Sequence, residues 1–320
     1  MTPVSVTPKS FTRALKGVVD FSLEFETRTG LLIRMPVQAQ AYRIGGAEQY
    51  PMVSRRVYPG GLEIEVPYVP GSSLKGRIRS LLELALGKKL FTTDEKIWQH
   101  VRNLSAMSFE DFVSDVLERC LIDELFGYAA ANYRQIKESC ESAIKRGVQL
   151  KSSTPDDVFS LMTITRLLVD DFFPTEDYVA KVNAKSIADF LEEKTENRLD
   201  RVTAAADPRE AVRVKPGVKF GGKLKLLIFD HDSDQLVKYL GTLATGLRLI
   251  EETYLGSSGS RGYGRVRFTK IVVTVNKIEI ENGFPRLKAL DRPVEYSSVS
   301  DLEKDVESLA EQIRKAIFGS

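Results

Sequence analysis

Residues 218–266, VKFGGKLKLLIFDHDSDQLVKYLGTLATGLRLIEETYLGSSGSRGYGRV, decide the fold. Val218, Phe220, Leu224, Leu226 and Ile228 alternate with Lys219, Lys223 and Lys225, the period-2 pattern of a half-buried strand. From about 234 to 253, Leu236, Leu240, Leu243, Leu247 and Ile250 recur at spacings of three and four, which predicts an amphipathic helix. A glycine-rich loop follows at 256–264, and a second strand pattern runs from Val266 to Ile280. Upstream, residues 17–28 alternate in the same way, with Val19, Phe21, Leu23 and Phe25 against Asp20, Ser22, Glu24 and Glu26. Pro70-Gly71-Ser72-Ser73 then reads as a serine cap opening a helix that carries Leu74, Ile78, Leu81 and Leu82 and ends near Gly87. The apolar, β-prone run Leu161–Phe173 supplies a further strand. The order is β-α-β-β-α-β, which places the chain in the α+β class with a ferredoxin-like (RRM-like) core.

Several segments interrupt that core. Thr29–Pro70 reads as one long irregular loop, a kind of connection that is commonly functional. Residues 94–147 read as mostly helical and acidic and contain the only tryptophan, Trp98, which reads as core of the insertion. Residues 192–216 are polar without a core pattern. After 283 an extension ends in an amphipathic helix, opened by Ser300-Asp301-Leu302-Glu303 as a capping box. The division is 17–90 plus 151–282 for a discontinuous core, 91–150 for a helical insertion and 283–320 for the extension.

Composition removes several classes. At 320 residues, 42% hydrophobic and 28% charged, the chain has the make-up of a soluble globular protein. No apolar run approaches the ~18 residues a membrane helix needs, and Met1–Lys16 has no apolar segment of a secretory signal. Cys120 and Cys140 make neither a disulfide framework nor a zinc motif, which points to a reducing, cytoplasmic interior. With only His100 and His231, and no short-range pair, a histidine metal site or a Ser/His triad finds no support. His100 reads as a surface residue, His231 as part of a turn, and the cysteines as helix-packing thiols. The charge is uneven: 13 basic against 7 acidic residues in 1–90, 13 against 21 in 91–200, and 13 against 7 in 201–270. Two basic blocks folding together would present a positive face to a polyanion.

Two motifs carry candidate chemistry. Gly71-Ser72-Ser73-Leu74-Lys75-Gly76-Arg77 has the glycine gap of a phosphate loop but lacks its Lys-Ser/Thr ending, so a nucleotide triphosphatase is rejected. Free N–H groups at the helix start, with Lys75 and Arg79 a turn apart, still suit a phosphodiester backbone; a plain capped core helix is the competing reading. Gly256-Ser257-Ser258-Gly259-Ser260-Arg261-Gly262-Tyr263-Gly264 has four glycines in nine residues and lets backbone approach a ligand. Arg261 there can meet phosphate and Tyr263 can stack on a base; a structural turn is the alternative.

Val69–Leu82 and Leu255–Val266 resemble the helix-opening and C-terminal glycine-rich motifs of the RAMP proteins of CRISPR systems. Thr29-Gly30-Leu31, Ile44-Gly45-Gly46-Ala47-Glu48 and the run Asn197–Arg209 fit, in order, the repeated backbone subunit of type III (Csm-type) RNA-guided complexes. The resemblance spans about 17–280. It implies subunits stacked as a filament on a guide RNA, with target RNA and other CRISPR subunits as partners and no membrane. Lys75, Arg77, Arg79 and the loop residues Gly259, Ser260, Arg261, Gly262 and Tyr263 fall in the parts expected to line the RNA groove. The segment around 192–216 resembles the family's thumb hairpin, which makes Arg201, Arg209 and Arg213 candidates for RNA-backbone contacts. The family's cleavage Asp falls on Glu48, which keeps the charge but adds a methylene, and a His common after Thr-Gly-Leu is Leu32 here. Glu48 is thus the candidate catalytic and metal-ligating residue, with Mg2+ or another divalent cation held only when target RNA is present. A subunit serving assembly alone differs from this reading only at Glu48. The alternative, a RAMP-type endoribonuclease maturing the guide precursor, is disfavoured by the single glycine-rich end and the absence of histidine from the motifs.

Overall fold

Strand β1 (Leu15–Thr27) sets the architecture, because Val19, Phe21, Leu23 and Phe25 all turn to one side and are buried. The computed structural model describes residues 12–36, 49–128, 132–145, 155–162, 164–289 and 292–319. In chain order β1 is followed by the hairpin β2 (Val53–Tyr58) and β3 (Leu62–Pro67), then helix α1 (Gly71–Ala85). Helices α2 (Phe109–Leu117), α3 (Leu121–Phe126), α4 (Tyr133–Lys145) and α5 (Pro155–Leu161) come next, then short β4 (Leu167–Val169), β5 (Phe173–Pro174) and α6 (Glu176–Val182). A second hairpin, β6 (Leu191–Leu199) and β7 (Ala206–Val214), leads into β8 (Lys219–Phe229), α7 (Leu236–Glu252) and the long β9 (Val266–Glu281). Strands β10 (Phe284–Ala289) and β11 (Val294–Tyr296) and helix α8 (Val299–Phe318) complete the chain.

The main sheet has the order β10-β9-β1-β8-β4, with β11 also on β9 and β5 on β8. Every pairing in it is antiparallel; at the centre Phe21 lies opposite Leu224 on one side and Val273 on the other. Helices α1 and α7 cross closely over one face, since a Cβ on Gly246 would come within 2.5 Å of Ile78 Cγ2. Helix α8 packs on α7 and β9 and buries Leu302, Val306, Leu309, Ile313 and Ile317. A second, smaller cluster gathers Phe91, Met107, Phe112, Val116, Ile136, Cys140 and Val158 from α2, α4, α5 and the segment before them. Helix α3 belongs to the main core instead, through Ile122, Leu125 and Phe126.

Buried charge ties α3 and the segments that follow α2 and α5 to the turn after β8. Arg166 pairs with Asp232 at 2.8 Å, and Arg119 reaches Asp232 at 2.7 Å and Glu124 at 3.0 Å. Arg119 also donates to the Tyr239 hydroxyl at 2.8 Å. Burial opposes ionisation of Asp232, but hydrogen bonds from Arg166, Arg119 and the Phe229 N–H hold its carboxyl below the usual range. A buried arginine stays charged at this cost only because each fork finds carboxylate partners.

Several sequence expectations need correction. The loop 29–70 contains the β2–β3 hairpin. Helix α1 has Pro70, not a serine, at its cap; the Gly71 N–H donates to Asp171 Oδ1 at 2.7 Å, so the cap comes from a residue a hundred positions away. Among the described residues of 160–173 only 167–169 and 173 are strand, and 94–108 contain no helix. The α8 cap is Ser298, which accepts from the Asp301 N–H. Trp98 is 61% exposed and lies outside the core, while His100 is buried at 3%. His231 does sit in the turn after β8, bonded to Asp230 at 3.0 Å.

Candidate nucleic-acid interface

The residues after β1 form the floor of a cleft. Leu31 exchanges backbone hydrogen bonds with Val214 at 2.9 and 2.8 Å, and the Val212 N–H donates to the Gln49 carbonyl at 3.0 Å. The base of the β6–β7 hairpin is thereby fastened to both ends of the first loop. From the other side Ser257 N–H donates to the Leu32 carbonyl at 2.8 Å and Gly264 N–H to the Gly30 carbonyl at 2.9 Å. This approach requires glycine: Gly256 and Gly264 have φ of +80° and +73°, and a Cβ on them would strike the Leu32 and Leu255 carbonyl oxygens at 2.5 and 2.0 Å. Gly30 has a different reason, since a Cβ there would lie 2.1 Å from Arg213 Nε.

A cleft of about 210 Å³ opens where the three segments meet. It is lined by Arg34 and Gln49 of the loop, Glu196, Arg209, Glu210 and Ala211 of the hairpin, and Ser258, Arg261 and Tyr263 of the glycine-rich segment. Three arginines against two glutamates give it a positive balance. Arg209 is 3.8 Å from Asp207, and Arg261 donates to Ser258 Oγ at 2.7 Å with Glu196 at 3.7 Å; both guanidiniums are about half exposed. Such loosely held, partly solvated cations can exchange their partners for phosphate.

Tyr263 differs from its sequence reading as a base-stacking platform. It is buried at 1%, with Lys194 Nζ 4.4 Å and the Arg213 guanidinium 4.5 Å from its ring. Burial, and the hydrogen bond to Glu196, push its hydroxyl above the ordinary range. Burial works against Glu196, but bonds from Tyr263 and Lys194 and the charge of Arg261 hold it low. Arg213 donates to Glu192 at 2.7 Å and is mostly covered, so it braces the hairpin base. Gly259 is buried because the Tyr254 ring occupies the space of its missing side chain. Ser260 and Gly262 complete the short turn beside it.

The helix residues lie elsewhere. Lys75 donates to the Leu167 carbonyl at 2.8 Å; burial, then the neighbouring Arg79, lowers its pKa. Arg77 lies 4.1 Å over the Tyr254 ring and donates to the Tyr254 carbonyl at 3.0 Å, supporting the glycine-rich segment from beneath. Arg79 bonds Glu83 at 2.8 Å, the Gly127 carbonyl at 3.1 Å and the His100 carbonyl. None of the three lines the cleft. Arg201 sits at the exposed hairpin tip, where Asp200 Oδ1 accepts from the Val202 and Thr203 N–H groups at 3.0 and 2.7 Å. Glu48 lies outside the described residues, directly before Gln49. Sequence reading missed Arg34, Lys194 and Glu196, whose roles emerge only once the hairpin folds back on the glycine-rich segment.

Residues 60–267 match the family model described as the RAMP superfamily. The chain belongs to that superfamily. Among relatives of this RAMP chain, the CRISPR system Cms endoribonuclease Csm3 of Methanothermobacter thermautotrophicus is 34% identical over 81% of the chain and 87% of the relative. The protein of the same name from Streptococcus thermophilus is 28% identical over 80% and 89%. The crystal structure of Methanopyrus kandleri Csm3 shares the RAMP fold, with a TM-score of 0.53 at 19% identity over 94% of this chain and 99% of that one. The RAMP chain is therefore mixed α/β around an antiparallel sheet. Among its described residues no helix is long and apolar enough to cross a membrane.

Proposed function

We propose that this RAMP chain binds guide RNA as a repeated backbone subunit of a type III CRISPR interference complex, and that bound target RNA is cleaved beside its first loop. The observation that carries this reading is the convergence of Arg34 of the first loop, Arg209 of the hairpin and Arg261 of the glycine-rich segment on one cleft that Gln49, the residue after Glu48 in sequence, also lines. The names of the relatives, CRISPR endoribonucleases, support it. The sheet order β9-β1-β8-β4, with α1 after β1 and α7 between β8 and β9, supports a ferredoxin-like core made of 17–90 and 151–282. Residues 91–150 are the helical insertion, with α3 turned into the main core and α5 packed on α2 and α4, 283–320 the extension, and 192–216 the thumb. Guide and target RNA, neighbouring CRISPR subunits and further copies of the chain are the partners, in the cytoplasm.

The cleft residues would position the RNA. Arg34, Arg209 and Arg261 hold phosphates, while Arg213 and Lys194 keep the Tyr263 wall in place. Glu48, which precedes Gln49 in sequence, would supply the carboxylate. A divalent cation, which prefers oxygen ligands, would be completed there only by RNA phosphate and would aid attack of the ribose 2′-hydroxyl. Complexes assembled with wild-type, Glu48→Asp and Glu48→Ala subunits test this with labelled target RNA and magnesium. Faster cleavage by Asp and none by Ala is expected, because a carboxylate displaced by ~1 Å can cost about 10²-fold. Equal rates in all three would remove Glu48 from the reaction.

A further inference from the structure

The insertion holds a second cluster, far in character from the cleft. His100, Asp115 of α2, and Cys120 and Asp123 at the start of α3 are all buried, and one ligand atom from each lies within 4.8 Å of the others. His100 Nε2 is 3.0 Å from Asp115 Oδ2, 3.3 Å from Cys120 Sγ and 3.7 Å from Asp123 Oδ2. Its other nitrogen, Nδ1, lies 2.9 Å from the Lys89 carbonyl oxygen. A carbonyl only accepts, so Nδ1 carries the ring proton and Nε2 is left facing two carboxylates and a sulfur. With Cys120 as a thiolate, that lone pair and three acceptors need a cation among them in a dry pocket.

A proton on Nε2 satisfies one partner only. Asp123 is 0% exposed, and neither of its carboxylate oxygens has a hydrogen-bond partner. Arg102 Nε is 3.4 Å from Asp123 Oδ2 yet is itself without a hydrogen bond, and Lys88 is 4.0 Å from Asp115. These two cations offset part of the negative charge and do not fill the centre. We propose that His100, Asp115, Cys120 and Asp123 form a closed structural zinc site. Tetrahedral bonds of about 2.0–2.3 Å place neighbouring ligand atoms about 3.3–3.8 Å apart, close to the spacing around Nε2. Four protein ligands leave no open position, which marks a structural rather than a catalytic ion. The Nδ1–carbonyl bond is the support that metal-bound imidazoles ordinarily have. The ion would clip α2, α3 and the stretch around 100 together, and Arg79 links that clip to α1 through the His100 and Gly127 carbonyls.

The test uses the full chain reconstituted with zinc and dialysed, then measured by elemental analysis and by titration of the apo form with cobalt(II). About one zinc per chain is expected, together with tetrahedral d–d bands and a thiolate-to-cobalt charge-transfer band. Cys120→Ser should abolish the charge-transfer band, Asp123→Asn should weaken binding at least tenfold on the order of ligand-shell losses, and Cys140→Ser should change neither. Wild-type protein that keeps no zinc and gives no thiolate band with cobalt would overturn the proposal, whatever the folding of the variants. It would leave a protonated His100 paired with Asp115.

Discussion

Gly30 shows how a single missing side chain shapes the site. Arg213 lies in the space its Cβ would take, and from there reaches both Glu192 and the Tyr263 ring. Gly30→Ala should therefore push Arg213 off the ring and cost about 1–3 kcal/mol, the ordinary range for overpacking. Denaturant unfolding gives the energy, and RNA affinity should fall with it because the cleft wall moves. An alanine variant as stable and as tight as wild type would show that Arg213 has room elsewhere. Asp232 is the second decisive residue. Its carboxyl is held low by Arg166 and Arg119, so the stability it contributes is present above the unfolded carboxyl pKa of about 3.9 and is lost as pH falls from there through the folded value. Thermal melts should show that acid loss in wild type. Asp232→Asn should lose about 3–5 kcal/mol at neutral pH, since the buried Arg166 then loses its carboxylate and Arg119 is left with Glu124 alone, and its acid slope should be shallower. An unchanged slope would place the acid sensitivity elsewhere.

At the scale of elements, the hairpin β6–β7 is fastened at its base and free at its end. Residues 197–210 are exposed, and Val202 at the tip is 92% exposed. Replacing 198–207 by a two-residue turn should leave the melting temperature nearly unchanged, because nothing there reaches the core. The truncated chain should still bind a guide strand but lose part of its contact with a guide–target duplex; gel-shift titration of both RNAs separates the two. A large drop in melting temperature would mean that the tip packs where its exposure denies it. The elements that sequence made legible are those with one clean period: β1, β8, α7 and β9. The β2–β3 hairpin escaped because Arg55-Arg56 break the alternation, although Ile64 and Val66 do face inward. The caps of α1 and α8 were misassigned because a serine near a helix start is common, while Asp171 arrives by tertiary folding. At the site, the glycine-rich segment and Arg209 and Arg261 were legible from motifs. The inward turn of Lys75, Arg77 and Arg79 was not, since charge pattern alone does not say which carbonyls a long cation will find.

For the molecule as a whole, binding should be chiefly electrostatic. Affinity for unstructured RNA should fall steeply with salt, and each of Arg34→Ala, Arg209→Ala and Arg261→Ala should reduce the log–log salt slope by about 0.7, the value for one phosphate contact on a single strand. The loss should be alike for all sequences, as backbone contacts carry no base information. Lys75→Ala should leave the slope unchanged, because its ammonium is spent on the Leu167 carbonyl. Fluorescence anisotropy from low to moderate salt measures both, and a slope change at Lys75 but not at the arginines would move the interface to α1.

The bond between Val212 and Gln49 joins a protruding hairpin to the residue that follows Glu48 without passing through the sheet. In mechanical language the hairpin is a beam clamped at Leu31 and Val214, with the loop end attached just outboard of the clamp. A load at the tip turns the beam about that clamp and displaces residue 49 by a small fraction of the tip's travel. Motion at the far end of the hairpin is thus geared down, not amplified, on its way to Gln49.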